Sequence, residues 1–360
     1  MPKPRPSTPE AANRSLYFST DTVPAASRLE AWNAAFGSLN AISVLPDVGG
    51  QPGVRCENWM LGGGLVLSET SVTKARFTRD AQRSRRDQLD HWVLRVLRRG
   101  RGVLRHPGFE VTTQPGDLVL FSMHETWVVD WDDVAWVSLC IPRDLDLRLS
   151  TTLASQPPGL LKGAAAGLLA DLLLALPARV AIAQPDELST IAAAVHAAIG
   201  ACLPVVGADQ ARTLGPETAA GLAKERVRRA ILRNIGSVRL KPAQLAAAAG
   251  LSRSALYRLF EPEGGVARYV RHVRLGLAHA ALTDPASAHL SIGAIAEAHG
   301  FPEPAEFSRA FRSVFGATPS DVRHAVRTTP IVPLPIAHPL RPANPARNFA
   351  ARIYGEAGST

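Results

Sequence analysis

Residues 242–252 read Pro-Ala-Gln-Leu-Ala-Ala-Ala-Ala-Gly-Leu-Ser, and residues 291–303 read Ser-Ile-Gly-Ala-Ile-Ala-Glu-Ala-His-Gly-Phe-Pro-Glu. In each stretch an aliphatic–alanine pair, Leu245-Ala246 or Ile295-Ala296, stands five residues before a glycine, Gly250 or Gly300. Small residues let a second helix approach closely, and glycine takes the left-handed conformation that ends the first. The pattern predicts two helix–turn–helix units in tandem, one fifty residues after the other.

Working outward, Pro242 suits the first turn of a helix, where its missing N–H would be unpaired anyway. Ser252 is placed to cap the next helix, and within it Leu256 and Phe260 lie four apart and face inward. The opposite face carries Arg253, Ser254, Tyr257 and Arg258, side chains that reach phosphates and base edges. In the second unit Ser291 is the cap and Gly300 the turn. Pro304 opens the following helix, on which Phe307 and Phe311 take the inward places. Arg258 and Arg309 each fall two residues beyond the first inward anchor, so they share a helical phase. Thr318-Pro319-Ser320 starts a last helix. Between the units, residues 266–282 predict one helix about 25 Å long, near the roughly 34 Å between successive major-groove faces. Val270, Val273, Leu277 and Leu282 are expected on its buried side and Arg268, Arg271 and Arg274 outward.

Charge agrees with this reading. The chain of 360 residues carries a formal net charge of +9, and residues 221–326 hold 15 Lys/Arg against 8 Asp/Glu, a local excess of 15 − 8 = +7. A polyanionic partner is expected there. With 46% hydrophobic and 20% charged residues the chain is globular rather than disordered throughout. Cys56, Cys140 and Cys202, widely spaced and without a CxxC, fit reduced thiols in a cytoplasmic protein. No apolar leader follows Met1, so no secretory signal is expected. The apolar stretches 159–176 and 188–206 are interrupted by Lys162, Asp171 and His196 and are largely alanine, which points to packing helices rather than membrane spans.

The tandem region resembles the AraC/XylS family of bacterial transcription regulators. The residues that carry the resemblance are Ser291 to Phe301, Glu306-Phe307-Ser308-Arg309-Ala310-Phe311-Arg312 and Phe315-Gly316-Ala317-Thr318-Pro319-Ser320. Gly250-Leu251-Ser252, Leu256 to Phe260 and Arg274-Leu275 match the first half of that domain. The resemblance implies two helix–turn–helix subdomains joined by a long helix, and promoter binding. Arg253, Ser254, Tyr257 and Arg258 would serve one groove, and Glu303, Glu306, Ser308, Arg309 and Arg312 the next. The second reading helix departs from a cationic face, with Pro302, Glu303, Pro304 and Glu306 near its start. Carboxylates repel phosphate and proline donates nothing, so this unit is expected to hold phosphate through Arg309 and Arg312 and read fewer bases.

From about residue 54 to 141 the texture changes to short apolar runs with glycine punctuation. They are Leu65–Leu67, Trp92–Leu97, Gly102–Leu104, Leu118–Phe121, Trp127–Val129 and Ala135–Ile141. Their spacing predicts short antiparallel strands in a barrel or jelly roll. Phe18 to Asp21, Pro115-Gly116-Asp117 and Trp136 to Arg143 resemble the cupin-like sensor domain of one branch of the same family, which implies a small-molecule effector. Trp92, Trp127 and Trp136 are the effector-site candidates. A catalytic cupin needs clustered ligands such as His-x-His. His91, His106 and His124 are isolated, so neither a metal nor another cofactor is expected. The eleven basic residues from Lys74 to Arg105 read equally well as an anion-attracting surface or a solvated strand edge.

The sequence therefore predicts an α+β multidomain protein. A disordered lead (1–14) precedes a cupin-like β-barrel or jelly roll with flanking helices (15–145) and a helical linker for dimerisation (146–220). An all-α tandem helix–turn–helix domain (225–327) and a Pro-rich disordered tail (328–360) complete it. The expected function is a cytoplasmic, non-enzymatic, effector-responsive regulator that binds double-stranded promoter DNA as a homodimer, with RNA polymerase a candidate further partner; whether it is an activator or a repressor stays open. No membrane partner is expected. The competing reading is a cupin-type metal enzyme with an accessory DNA-binding domain.

Overall fold

The computed structural model describes residues 15–36, 40–45, 52–87, 91–106, 109–143, 146–204, 216–283, 287–315 and 317–328. The readings of the 1–14 lead and of the tail after 328 lie outside the described residues. The chain divides into two compact units, the first ending near residue 205 and the second holding the remaining helices.

The first unit begins with β1 (Ser15–Ser19), α1 (Arg28–Phe36), β2 (Ala41–Ser43), β3 (Val54–Met60), β4 (Val66–Arg79) and α2 (Ala81–Asp87). It continues with β5 (Trp92–His106), β6 (Phe109–Thr113), β7 (Leu118–Ser122), β8 (Trp127–Ile141), α3 (Leu147–Ser155), β9 (Gly159–Leu161), α4 (Ala164–Val180) and α5 (Glu187–Cys202). The strands form one antiparallel sheet in the order β1-β3-β4-β8-β5-β7-β9, with β2 on β4 and β6 on β5. β4 pairs first with β3 and then with β2, and β5 pairs first with β7 and then with β6. Long strands that change partner halfway bend the sheet around its own core, which gives the cupin-like arrangement.

The short runs merge in the structure. Trp92–Leu97 and Gly102–Leu104 belong to the single strand β5, and Trp127–Val129 and Ala135–Ile141 to the single strand β8. The polar residues between the apolar runs lie where the register slips between Leu97 and Arg101. Gly100 takes a φ of +81° there, facing Asp133 at +44°. A side chain at Gly100 would put its Cβ 2.2 Å from the Asp133 carbonyl oxygen, so only glycine passes. Sequence runs end where side chains leave the core, whereas the hydrogen-bonded ladder continues through them.

The core gathers Trp32 of α1 with Phe77, Trp131 and Trp136 of the sheet. Trp32 meets Phe77 edge-on at 5.3 Å and Trp131 stacks on Trp136 at 4.8 Å. On the outer surface the basic residues of β4 and β5 are answered by acids. Lys74 pairs with Asp132, Arg76 and Arg105 share Asp130, Arg99 pairs with Asp133 and Arg98 with Glu69. The two guanidiniums on Asp130 hold its carboxyl below the usual carboxylate range. Arg79 is buried and donates to the Met123 carbonyl. The basic run is therefore a laced strand surface rather than a bare cationic one.

Two features of the segment after 144 differ from the sequence expectation. Residues 159–161, read as the start of a helix, extend the sheet as β9 on β7. Pro177, a residue type that ordinarily breaks a helix, lies inside α4. Only the last turn follows it, so a single backbone bond is lost, and the ring is buried with Leu173, Leu176 and Val180. Among the described residues no helix is long and apolar enough to cross a membrane.

The second unit is α6 (Pro216–Arg233), α7 (Pro242–Ala249), α8 (Arg253–Leu259), α9 (Val266–Thr283), α10 (Ile292–Ala298), α11 (Pro304–Phe315) and α12 (Pro319–Thr328). It holds two cores. Val227 and Ile231 of α6 pack with Leu245, Ala246, Leu256 and Phe260 in one. Ile295, Ala296, Phe301, Phe307 and Phe311 form the other. Helix α9 belongs to both, giving Val266, Tyr269 and Val273 to the first and Leu275, Ala278 and Leu282 to the second.

Candidate nucleic-acid interface

Local chemistry sets each turn. Gly250 follows α7 in the left-handed conformation, with φ +67° and ψ +35°, and Ser252 Oγ accepts from the Ala255 N–H at 3.2 Å to start α8. Ser291 Oγ accepts from the Ala294 N–H at 3.0 Å to start α10, and Gly300 takes φ +79° after it. Gln244 Oε1 accepts from the Lys241 N–H at 2.9 Å, and Pro242 occupies the first helical turn. At α12, Thr318 and Asp321 cap one another reciprocally, Asp321 N–H donating to Thr318 Oγ1 at 3.2 Å. Each such cap is worth about 1 kcal/mol.

With Leu256 and Phe260 buried beneath α8, its other side leaves Arg253, Ser254, Tyr257 and Arg258 exposed. Tyr257, at 52% exposure, is a large aromatic left in solvent where a packing role would have buried it. On α11, Phe307 and Phe311 are fully buried, while Glu303 before the helix and Glu306, Ser308, Arg309 and Arg312 on it are exposed. Arg258 and Arg309 face solvent at the equivalent phase. Among the described residues no ion pair holds Arg253, Arg258 or Arg309. Glu306 Oε1 lies 3.6 Å from the Arg271 guanidinium of α9, so its charge is partly answered within the unit.

Arg274 departs from the outward position expected for it. It is 8% exposed and reaches from α9 to the Ser237 carbonyl, in the loop between α6 and α7, and towards the Gly300 carbonyl. Burial lowers its pKa, yet a guanidinium stays charged at neutral pH. A Cβ at Gly300 would lie 2.7 Å from Arg274 Cζ and 2.8 Å from the Ile235 carbonyl oxygen. One buried cation thus ties the loop between α6 and α7, the long helix and the second turn together. The shared helical phase of Arg268, Arg271 and Arg274 gave no warning of this, because it arises where the two cores diverge along α9.

His279 packs against both Phe311 and Phe315, with ring centres 5.8 and 4.6 Å away. Desolvation pushes its pKa down to about 4. Lys224 Nζ pairs at 2.5 Å with the buried Glu263, which fastens α6 to the loop after α8. Arg323 donates to the Leu290 carbonyl at 2.6 Å and seats α12 beside the start of α10.

In the first unit a cavity opens inside the sheet. Of the three tryptophans named from sequence, Trp136 lines it. Trp92 instead carries the Arg143 guanidinium on its face at 3.9 Å and donates to Ser150, and Trp127 packs edge-on against Phe121. His106 stacks on Phe109, and His106 Nε2 lies 3.8 Å from Glu125. Among the described residues no three His, Cys, Asp or Glu side chains converge to hold a metal ion.

Residues 245–325 match the model of a helix-turn-helix domain, and residues 57–203 match that of the AraC-binding-like domain. The transcriptional activator NphR of Rhodococcus sp is 36% identical over 95 residues, 26% of this chain and 28% of that protein. The XylDLEGF operon transcriptional activator of Pseudomonas putida is 39% identical over 80 residues, 22% of this chain and 25% of that protein. The matched stretch thus spans about a quarter of the length of these curated relatives. Among solved structures, the AraC-like transcriptional activator CuxR is similar across both units, with a TM-score of 0.52 and 25% identity. The match covers 74% of this chain and 95% of that one.

Proposed function

The chain belongs to the AraC/XylS family of transcription regulators, and on that premise we propose that it is a promoter-binding transcriptional activator governed by a small-molecule effector. The observation that carries this reading is the pair of helices α8 and α11, whose exposed faces present arginine at the same phase. Arginine offers a planar fork of N–H donors that suits both phosphates and the guanine edge. The local excess of +7 supplies the long-range attraction that brings such a surface to DNA.

Within this reading Arg253, Ser254, Tyr257 and Arg258 read base edges in one major groove, and Ser308, Arg309 and Arg312 hold phosphates at the next. Glu303 and Glu306 restrain the second contact by repelling phosphate. The sheet unit binds the effector, residues 146–220 join two copies as a homodimer, and the chain works in the cytoplasm with RNA polymerase as a further partner. The effector acts by population shift: it favours one arrangement of the protein and so changes promoter occupancy. A metal-enzyme reading draws no support from the three relatives described above, which are named as transcriptional activators.

Capture of chromosomal fragments by the purified full chain at fixed salt tests the proposal. Fragments from a small set of promoters should bind at least ~10³-fold tighter than bulk DNA. Uniform binding that disappears as salt is raised would mean non-specific phosphate contact only.

A further inference from the structure

The two reading helices can be compared position by position, because their anchors share a phase. Leu256 and Phe260 of α8 correspond to Phe307 and Phe311 of α11, and Arg258 corresponds to Arg309. One exposed position differs in kind: directly after the first anchor, α8 has Tyr257 where α11 has Ser308. The tyrosine is 52% exposed, and among the described residues no hydrogen bond, ion pair or ring contact holds it. The core beneath α8 closes without it, since Leu256 and Phe260 are fully buried and the Phe260 ring meets Tyr269 at 4.6 Å.

On the helix surface Tyr257 neighbours Arg253, four residues back, and Ser254, three residues back, both exposed. Ser254 Oγ lies 3.0 Å from Ser252 Oγ at the helix start, so part of its hydrogen-bonding capacity is met within the protein. Tyr257 is thus the one large aromatic on a face otherwise made of arginine and serine. The major groove such a face enters is lined mainly by hydrogen-bonding atoms. Its apolar feature is the C5-methyl group of thymine. Arginine and serine make little use of a methyl group, whereas a phenol ring offers it a broad apolar surface. A tyrosine side chain also has only two torsions to fix, so little rotamer freedom is lost in setting it against a base.

We infer that Tyr257 selects thymine at one base pair of the site bound by α8, its ring packing on the C5-methyl group while Arg253 and Arg258 donate hydrogen bonds beside it. The inference rests on the base-reading role proposed for α8 and names the chemical group that one of its residues recognises. Because the methyl group is what is read, 5-methylcytosine binds better than cytosine at the same position. Ser308 gives the site bound by α11 no such preference.

The test takes the promoter fragment bound best by the purified full chain and replaces each thymine in turn, on either strand, by uracil, which removes only the methyl group. Binding is measured at fixed salt. One replacement should weaken binding about 4-fold, the effect of leaving one methyl group unburied. At that position 5-methylcytosine should bind about 4-fold better than cytosine. Tyr257→Ser, which copies the second unit, should bind thymine and uracil alike there while melting at the temperature of the native chain. If it melts early, Tyr257→Gln takes its place. Tyr257→Phe should keep the preference, because it retains the ring and drops the hydroxyl. Uracil tolerated at every position, every uracil penalty surviving Tyr257→Ser, or the penalty vanishing in Tyr257→Phe would overturn the inference. Any of these outcomes alongside specific promoter binding removes only the methyl reading. A chain that prefers no fragment over bulk DNA removes the proposed function and the inference with it.

Discussion

The two helix–turn–helix units share a grammar and differ in what surrounds it. Both have a left-handed glycine, two inward anchors four residues apart and an arginine two residues past the first anchor, and each has a serine cap, on the second helix of the first unit and on the first helix of the second. Gly250, however, sits in open space, while Gly300 is hemmed by Arg274 and the Ile235 carbonyl. The first core is mainly aliphatic with one aromatic pair, Phe260 on Tyr269 at 4.6 Å. The second is a run of phenylalanines, 301, 307, 311 and 315, with successive ring centres 5.3, 5.4 and 4.5 Å apart. The first reading helix exposes two arginines and a tyrosine, and the second sets its arginines among acids. Identical local signals thus carry different tertiary loads: the first unit leaves its face free, and the second is keyed to the rest of the helical unit.

The glycines break or sharpen this contrast most sharply. Gly300→Ala should destabilise the helical unit by more than about 3 kcal/mol, because backbone and a buried guanidinium must move as well as φ. Gly250→Ala bears only the left-handed strain, about 1–2 kcal/mol. Urea unfolding of the two full-length variants checks this, and equal losses would dissolve the asymmetry.

Acid should weaken the second unit selectively. The pKa of His279 is about 4 in the folded chain, against 6.5 ordinarily. The unfolded chain therefore takes up the proton first, and this group's stability contribution falls as pH drops from about 6.5 to about 4. His279→Phe should flatten the melting temperature across that window relative to the native chain. An unchanged pH slope would show that the ring is not shielded by Phe311 and Phe315.

Arginine deletions separate reading from holding. Arg258→Ala should lose about 1–3 kcal/mol at the preferred site and relax preference at one base pair. Arg309→Ala should weaken all sequences alike and reduce the salt slope by about 1. Binding to single-substituted operators distinguishes them, and base-specific loss at Arg309→Ala would reverse the assignment. The smallest effect is expected for Glu306→Gln. It removes a repelling charge but also releases Arg271, so DNA affinity should change by less than about 0.5 kcal/mol.

Much of the helical unit was legible because caps and turns are local: Pro242, Gly250, Ser252, Ser291 and Thr318 announce their helix ends through their own backbone chemistry. Arg274 was not, since its helical phase matches that of Arg271 and only the meeting of two cores buries it. In the sheet, apolar runs marked the strands but not their length, because β5 and β8 continue through residues whose side chains face outward. Arg95 was hidden inside a basic run. Its alternation with Val93 and Leu97 puts it on the core face, but the residue it meets across the ladder, Ser138, is forty-three residues on and fixed by sheet register.

In the proposed function one chain grips two successive grooves, reading with the first unit and positioning with the second. Selection of the full chain on a random duplex library at fixed salt tests it most directly. Two boxes about 10 bp apart are expected, with strong base preference in the box bound by α8 and weak preference in the other, and loss of the strong preference in Arg258→Ala. A single box, equal information in both, or no enrichment over the starting library would contradict it.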